Sequence, residues 1–166
     1  MATLDSCDEV IIPIPYWVSY PEMVTLAGGK PVFVQPKLNN GFRIDLDKLE
    51  AAITPNSKWL IIDSPNNPSG TIFPDEDLIK IGDIVRQYKN LNILSDDIYE
   101  NITFDKRVSK NILQICPDLK DKVFIVNGLS KIYSMTGWRI GYGAGNVDII
   151  KAMTNIKSQR TSKPSS

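Results

Sequence analysis

Five short runs of β-branched and other apolar residues divide the chain: EVIIP at 9–13, PVFVQ at 31–35, WLIID at 59–63, NILSD at 92–96 and VFIVN at 123–127. Each is bounded by Gly, Pro, Asn or Asp, which marks them as buried strands rather than parts of longer helices. Helical patterns lie between and after them. The segment 74–89 opens on Pro74 and three acidic residues and repeats Leu78, Ile81, Ile84, Val85 and Tyr88 on one face. The segment 147–158 places Val147, Ile150, Met153 and Ile156 at the same spacing. Parallel strands need crossovers and bury both faces, so this alternation predicts an α/β fold of three α/β/α layers around a mostly parallel sheet. GYGAG, from Gly141, follows WRI and reads as a close-packed strand. Neither a G-x-x-x-x-G-K-[ST] loop nor a G-x-G-x-x-G loop occurs in the sequence.

Charge excludes several functions. Lysine plus arginine equals aspartate plus glutamate at 19 each, without a long run of one sign, so nothing marks a nucleic-acid groove or an anionic membrane surface. A small-molecule partner is the expectation. Histidine is absent, and Cys7 and Cys116 lack metal-ligand spacing, which argues against a metal site and a Ser-His-Asp triad. No apolar run approaches a membrane span, and the first residues lack a basic region followed by a signal-type block, so a cytoplasmic location is expected. The first strand begins soon after Met1 and the last residues, KSQRTSKPSS, are polar. The chain therefore reads as a piece of something longer.

In open α/β sheets ligands bind beyond the carboxyl ends of the strands, and the polar signals gather there. SPNNPSG follows WLIID, DDIYE follows NILS, and NGLSK follows VFIV. Lys131 is either a solvated loop charge or an amine placed for chemistry, and Arg139 lies eight positions on, near enough in sequence to share a pocket with it. Two neighbouring cations suit an anionic ligand. Asp96 and Asp97 are adjacent at a strand end, so one faces inward and one outward; the inward one could pair with a cationic heterocycle nitrogen, and the alternative is a turn cap. Asn67 sits in a turn and could both donate to and accept from a ligand oxygen. Trp17, beside Tyr16 after the first strand, could stack on a flat ring or simply pack.

Five segments then occur together and in order: PYWVSYPEM (15–23), SPNNPSG (64–70), SDDIYE (95–100), NGLSK (127–131) and MTGWRIGY (135–142). Together they resemble the large domain of the class I aminotransferases, fold type I pyridoxal-phosphate enzymes, and most closely the bacterial aspartate aminotransferase branch. The resemblance implies a catalytic set of Lys131, Asp96 and Tyr99. Lys131 would attach covalently to pyridoxal phosphate and later carry the proton between the substrate α-carbon and the cofactor. Asp96 would pair with the pyridine nitrogen. Tyr99 and Asn67 would bond the ring's 3′ oxygen, with the Asn67-Pro68 bond cis, while Trp17 would stack on the ring and Arg139 hold the phosphate. Trp17 and Asn67 would also meet the substrate, an L-amino acid such as aspartate or a 2-oxo acid. The resemblance further implies a homodimer.

Family members run well over twice this length. The resemblance therefore implies that residues 1–166 are a partial large domain, without the N-terminal arm, the helix-start loop that cradles the phosphate, or the C-terminal domain whose arginine grips the α-carboxylate. Gly128 stands where many relatives have a phosphate-binding serine. Arg160 and Lys163 add charge near the expected subunit interface. Two other readings stay open from the sequence: a catalytically inactive truncated aminotransferase, and a binding module completed by a second chain.

Overall fold

The computed structural model describes residues 1–37, 41–104 and 107–159. Arg160 and Lys163 lie outside the described residues. Six strands form one sheet in the order β2-β1-β3-β4-β5-β6: β1 (Glu9–Pro13), β2 (Lys30–Val34), β3 (Ser57–Asp63), β4 (Asn92–Asp96), β5 (Val123–Gly128) and β6 (Gly141–Ala144). The first five run parallel; β6 joins β5 antiparallel, with Gly128 opposite Gly141. The expected α/β architecture with a mostly parallel sheet is therefore the observed one. The sixth strand comes from the glycine-rich GYGAG segment, and a Cβ at Gly143 would stand 2.7 Å from the Phe124 ring. Only glycine lets β6 lie this close over β5.

Residues alternate cleanly between the two faces of the sheet. Ile11, Leu60, Ile62, Ile93 and Val123 pack against Leu49 of α2 (Leu46–Ala51), Leu78, Ile81 and Val85 of α3 (Asp75–Gln87), and Ile112 of α4 (Ile112–Ile115). On the other face Val10, Ile12, Trp59, Ile61 and Phe124 meet Tyr20 and Val24 of α1 (Ser19–Leu26) and Ile149 and Ile150 of α5 (Val147–Ser158). These two helical layers complete the α/β/α arrangement. Helix α5 departs from the expected apolar face: Ile150 packs inward, but Val147 is 60% exposed and Met153 is 41% exposed. Val147 is the first helical residue, ahead of Ile149 and Ile150, which make the helix's contact with the sheet.

Helix α3 begins at Asp75, with Pro74 as the extended residue before it and Asp75, Glu76 and Asp77 in its first turn, where carboxylates complement the helix dipole. At its far end the Lys122 ammonium donates to the carbonyls of Val85 and Tyr88 at 3.2 and 2.6 Å, closing the C-terminal turn that would otherwise leave acceptors bare. Asp77 is buried, and Arg43 grips it through Nε at 2.5 Å and Nη2 at 2.8 Å while also meeting Glu76. Arg43→Met strips a buried carboxylate of its fork-shaped partner. A loss of about 3 kcal/mol in urea unfolding is expected, at the low end for such pairs because the helix N-terminus still favours the charge.

Among the described residues no helix is long and apolar enough to cross a membrane. Cys7 is exposed and Cys116 buried, and both are free thiols.

Candidate active site

The parallel strands end on one rim, and the loops leaving β1, β3, β4 and β5 enclose a cleft of about 380 Å³. Trp17, Asn67, Asp96, Tyr99, Lys131 and Arg139, the six residues singled out in the sequence, all line it. Convergence of residues spread over more than a hundred positions follows from the topology: each parallel strand delivers its following loop to the same edge.

Asp96 closes β4 and faces the cleft. Its Oδ2 accepts the Tyr20 hydroxyl at 2.7 Å and its Oδ1 the Ile98 amide at 3.2 Å. Burial raises the Asp96 carboxyl above the usual range, opposed by the Tyr20 hydroxyl and the Ile98 amide. Asp97 points through the sheet to the opposite layer, where it accepts from Ser95 Oγ at 2.6 Å and Asn111 Nδ2 at 3.0 Å. Adjacent aspartates thus take opposite faces. Tyr99 follows in the turn after β4, and the Lys131 ammonium sits 5.6 Å from the centre of its ring.

Lys131 lies three residues beyond the end of β5, in a turn that leaves it exposed. Arg139 ends the short 3-10 turn Thr136–Trp138 with φ of 53°, a left-handed conformation unusual outside glycine, and its Nη1 donates to the Thr136 carbonyl at 3.0 Å. That conformation turns the backbone sharply between the Lys131 loop and β6 and leaves the guanidinium at the cleft. A Cβ at Gly128 would approach the Ile140 carbonyl at 3.0 Å, so this position has little room for the serine found in many class I sequences.

Asn67 follows β3 in a turn whose organiser is its neighbour. Asn66 donates to the Pro15 carbonyl at 3.0 Å and accepts from Ser69 N at 3.1 Å and Ser69 Oγ at 2.6 Å. The bonds Ile14-Pro15, Ser64-Pro65 and Asn67-Pro68 are cis, the last as the resemblance implied. Trp17 is 41% exposed and meets Tyr20 edge-on at 5.5 Å between ring centres, leaving a ring face open at the mouth.

The family model for aminotransferase class I and II matches residues 1–166. The chain belongs to this family. This aminotransferase chain is 57% identical over 166 residues to a probable aspartate/prephenate aminotransferase of Rickettsia prowazekii, covering all of the chain and 42% of that protein. It is 51% identical to the aspartate aminotransferase of Bacillus subtilis, over 98% of the chain and 41% of that protein. The crystal structure of the aspartate aminotransferase from Rhizobium meliloti superposes with a TM-score of 0.95 at 45% identity, over 99% of the chain and 41% of that structure. The chain thus spans about two fifths of the length of these relatives.

Two ionisable cleft residues of this aminotransferase segment, Tyr20 and Asp63, were not singled out in the sequence. Tyr20 is buried beneath Trp17, and burial with the charges of Asp63 and Asp96 pushes its phenol well above the usual range. Asp63 ends β3 directly beside Asp96. Its strand-end position after WLII matched that of Asp96 after NILS and was the available signal.

Proposed function

We propose that the chain is the central part of the large domain of a pyridoxal-phosphate-dependent aminotransferase that moves an amino group between an L-amino acid, aspartate foremost, and a 2-oxo acid. The observation that carries this reading is the meeting of Lys131, Asp96 and Arg139 in one cleft with an open aromatic face. Its donor set suits a planar cationic ring bearing a dianion: a half-buried carboxylate with both oxygens already oriented, an accessible amine, and a guanidinium.

When bound, pyridoxal phosphate supplies a protonated ring that withdraws electron density from the substrate α-carbon. The chain's own residues do the rest. Asp96, aimed by Tyr20 and the Ile98 amide, holds the proton at the ring nitrogen. Lys131 would be the residue that holds the cofactor and that moves the proton at the substrate α-carbon. Its exposed, flexible stem permits both positions. Trp17 would stack on the ring, Asn67 and Tyr99 would serve its 3′ oxygen, and Arg139 would neutralise phosphate charge.

The Rickettsia relative's name carries two substrates, aspartate and prephenate, and supports an amino donor of the first kind and an acceptor of the second. A cytoplasmic homodimer, in which the remaining segments of the protein complete the site, belongs to the same reading.

A second reading, an aminotransferase segment without turnover of its own, is favoured by an apolar groove of about 250 Å³ between α1 and α5. Leu4, Met23, Leu94, Phe124 and Met153 line it. Titration of the purified protein with pyridoxal phosphate, borohydride reduction and peptide mass mapping tests the main reading. A saturable adduct on Lys131 alone is expected; adducts absent or scattered over surface lysines would overturn it. Turnover assayed on the same preparation decides between the two readings.

A further inference from the structure

Asp63 and Asp96 are register partners on neighbouring parallel strands, so their side chains leave the same face of the sheet side by side. Asp63 is 6% exposed. Its Oδ2 accepts the Asn67 amide at 3.0 Å and the Asn66 Nδ2 at 3.3 Å, but its buried Oδ1 has no hydrogen-bond partner among the described residues. An ionised carboxylate would leave that oxygen charged and unsolvated, whereas a carboxylic acid would place its proton there. Asp96, by contrast, has a donor on each oxygen, which favours its anion.

We propose that Asp63 and Asp96 hold a single proton between them and that it resides on Asp63 Oδ1, leaving Asp96 as the only carboxylate presented to the cleft. The groups facing Asp63 are Asp96 on β4, Tyr20 on α1, and Asn66 and Asn67 in its own turn; Tyr99, Lys131 and Arg139 stand across the cleft. None of the cations forms an ion pair with Asp63 among the described residues. Burial pushes the Asp63 carboxyl up to about 7, with the Asn67 amide opposing, the Asp96 charge adding, and the Tyr20 hydroxyl opposing. Asp63 is thereby a positioning residue: it acts through Asp96, holding the charge beside the ring nitrogen at one rather than two. That last link rests on the aminotransferase reading; the shared proton does not.

The test is a pH titration of side-chain carboxyl carbons by NMR in the purified protein without cofactor, with Asp63 assigned from its backbone. Asp63 is expected to titrate near neutrality, to be the resonance missing in Asp63→Asn, and to fall by about one pH unit or more in Asp96→Asn, because a neighbouring negative charge has been removed. Stability should follow. A carboxyl raised from 3.8 to about 7 in the folded state binds more protons there than in the unfolded chain, so the parent loses stability relative to Asp63→Asn as pH rises through that window. Above it the gap stays constant. The asparagine mimics the neutral acid, its oxygen receiving the Asn66 and Asn67 donors. Titration of Asp63 in the ordinary carboxylate range in the parent protein would overturn the proposal whatever the solubility of the variants, and so would a midpoint that Asp96→Asn leaves unmoved. The Lys131 adduct and this titration are independent, so either can fail while the other stands.

Discussion

Lys131→Ala is expected to cut amino transfer by about 10²–10⁴-fold or more, the usual contribution of a positioned acid/base group, while hardly moving the unfolding midpoint. The two halves of this expectation have separate causes. Lys131 is exposed and its one aromatic contact is the Tyr99 ring at 5.6 Å. A cation–π contact at an exposed site is worth on the order of 0.5–1 kcal/mol, so little stability is at stake. On the proposed function, turnover needs an amine to hold the cofactor and move the α-proton, and alanine does neither. Arginine at the same place would keep the charge but remain protonated, and is expected to fail alike. Single-turnover kinetics beside urea unfolding would check both halves; a large loss of stability would mean that the turn itself depends on Lys131.

Asp96→Asn should lower turnover by about 10²–10³-fold, the scale observed when one preorganised polar group is lost at a developing charge. With the amide oxygen accepting from the Ile98 N–H and the amide nitrogen donating to the Tyr20 hydroxyl oxygen, both contacts and the local packing survive. What disappears, on the proposed function, is the anion that would hold a proton on the ring nitrogen. Stability is expected to move the other way, because burial penalises the Asp96 charge and asparagine relieves that penalty. Steady-state kinetics and urea midpoints at pH 8 would show activity falling while stability holds or rises. Equal losses in both would point to a structural role instead.

Much of this arrangement was legible from residue order alone, and the reasons are specific. WLIID, NILSD and VFIVN are short, β-branched and sharply bounded, and all three became central strands. Asp96 and Asp97 could be assigned to opposite sides because a strand alternates its side chains, and the fold separates them so. Helix α3 carried both an acidic first turn and a long apolar face. Helices α1, α2 and α4 were not singled out: α2 and α4 span six and four residues, too short for a periodic signal, and α1 contains Pro21 in its first turn. Tyr20 and Asp63 were missed for another reason. Tyr20 matters through a contact 76 positions away, and Asp63 through a register pairing that only the assembled sheet creates. The exposure of Val147 likewise depends on which residues of α5 meet the sheet, Ile149 and Ile150, and periodicity within the helix does not encode that.

The split of Asp96 and Asp97 across β4 bears on what insertions and deletions the segment can tolerate. Asp97 anchors Asn111, the residue that caps α4, while Asp96 serves the cleft on the far side. Deleting one residue upstream in β4 would bring Asp97 to the cleft position and Ile98 to the α4 side, and inserting one would bring Ser95 to the cleft position and Asp96 to the α4 side. A deletion would therefore break the α4 anchor and an insertion the cleft charge, and either would also turn the apolar side chains of β4 on its upstream side to the wrong face of the sheet. Length variation in homologous chains should accordingly fall in the loops before Asn92 or after Glu100, and not within the strand between them.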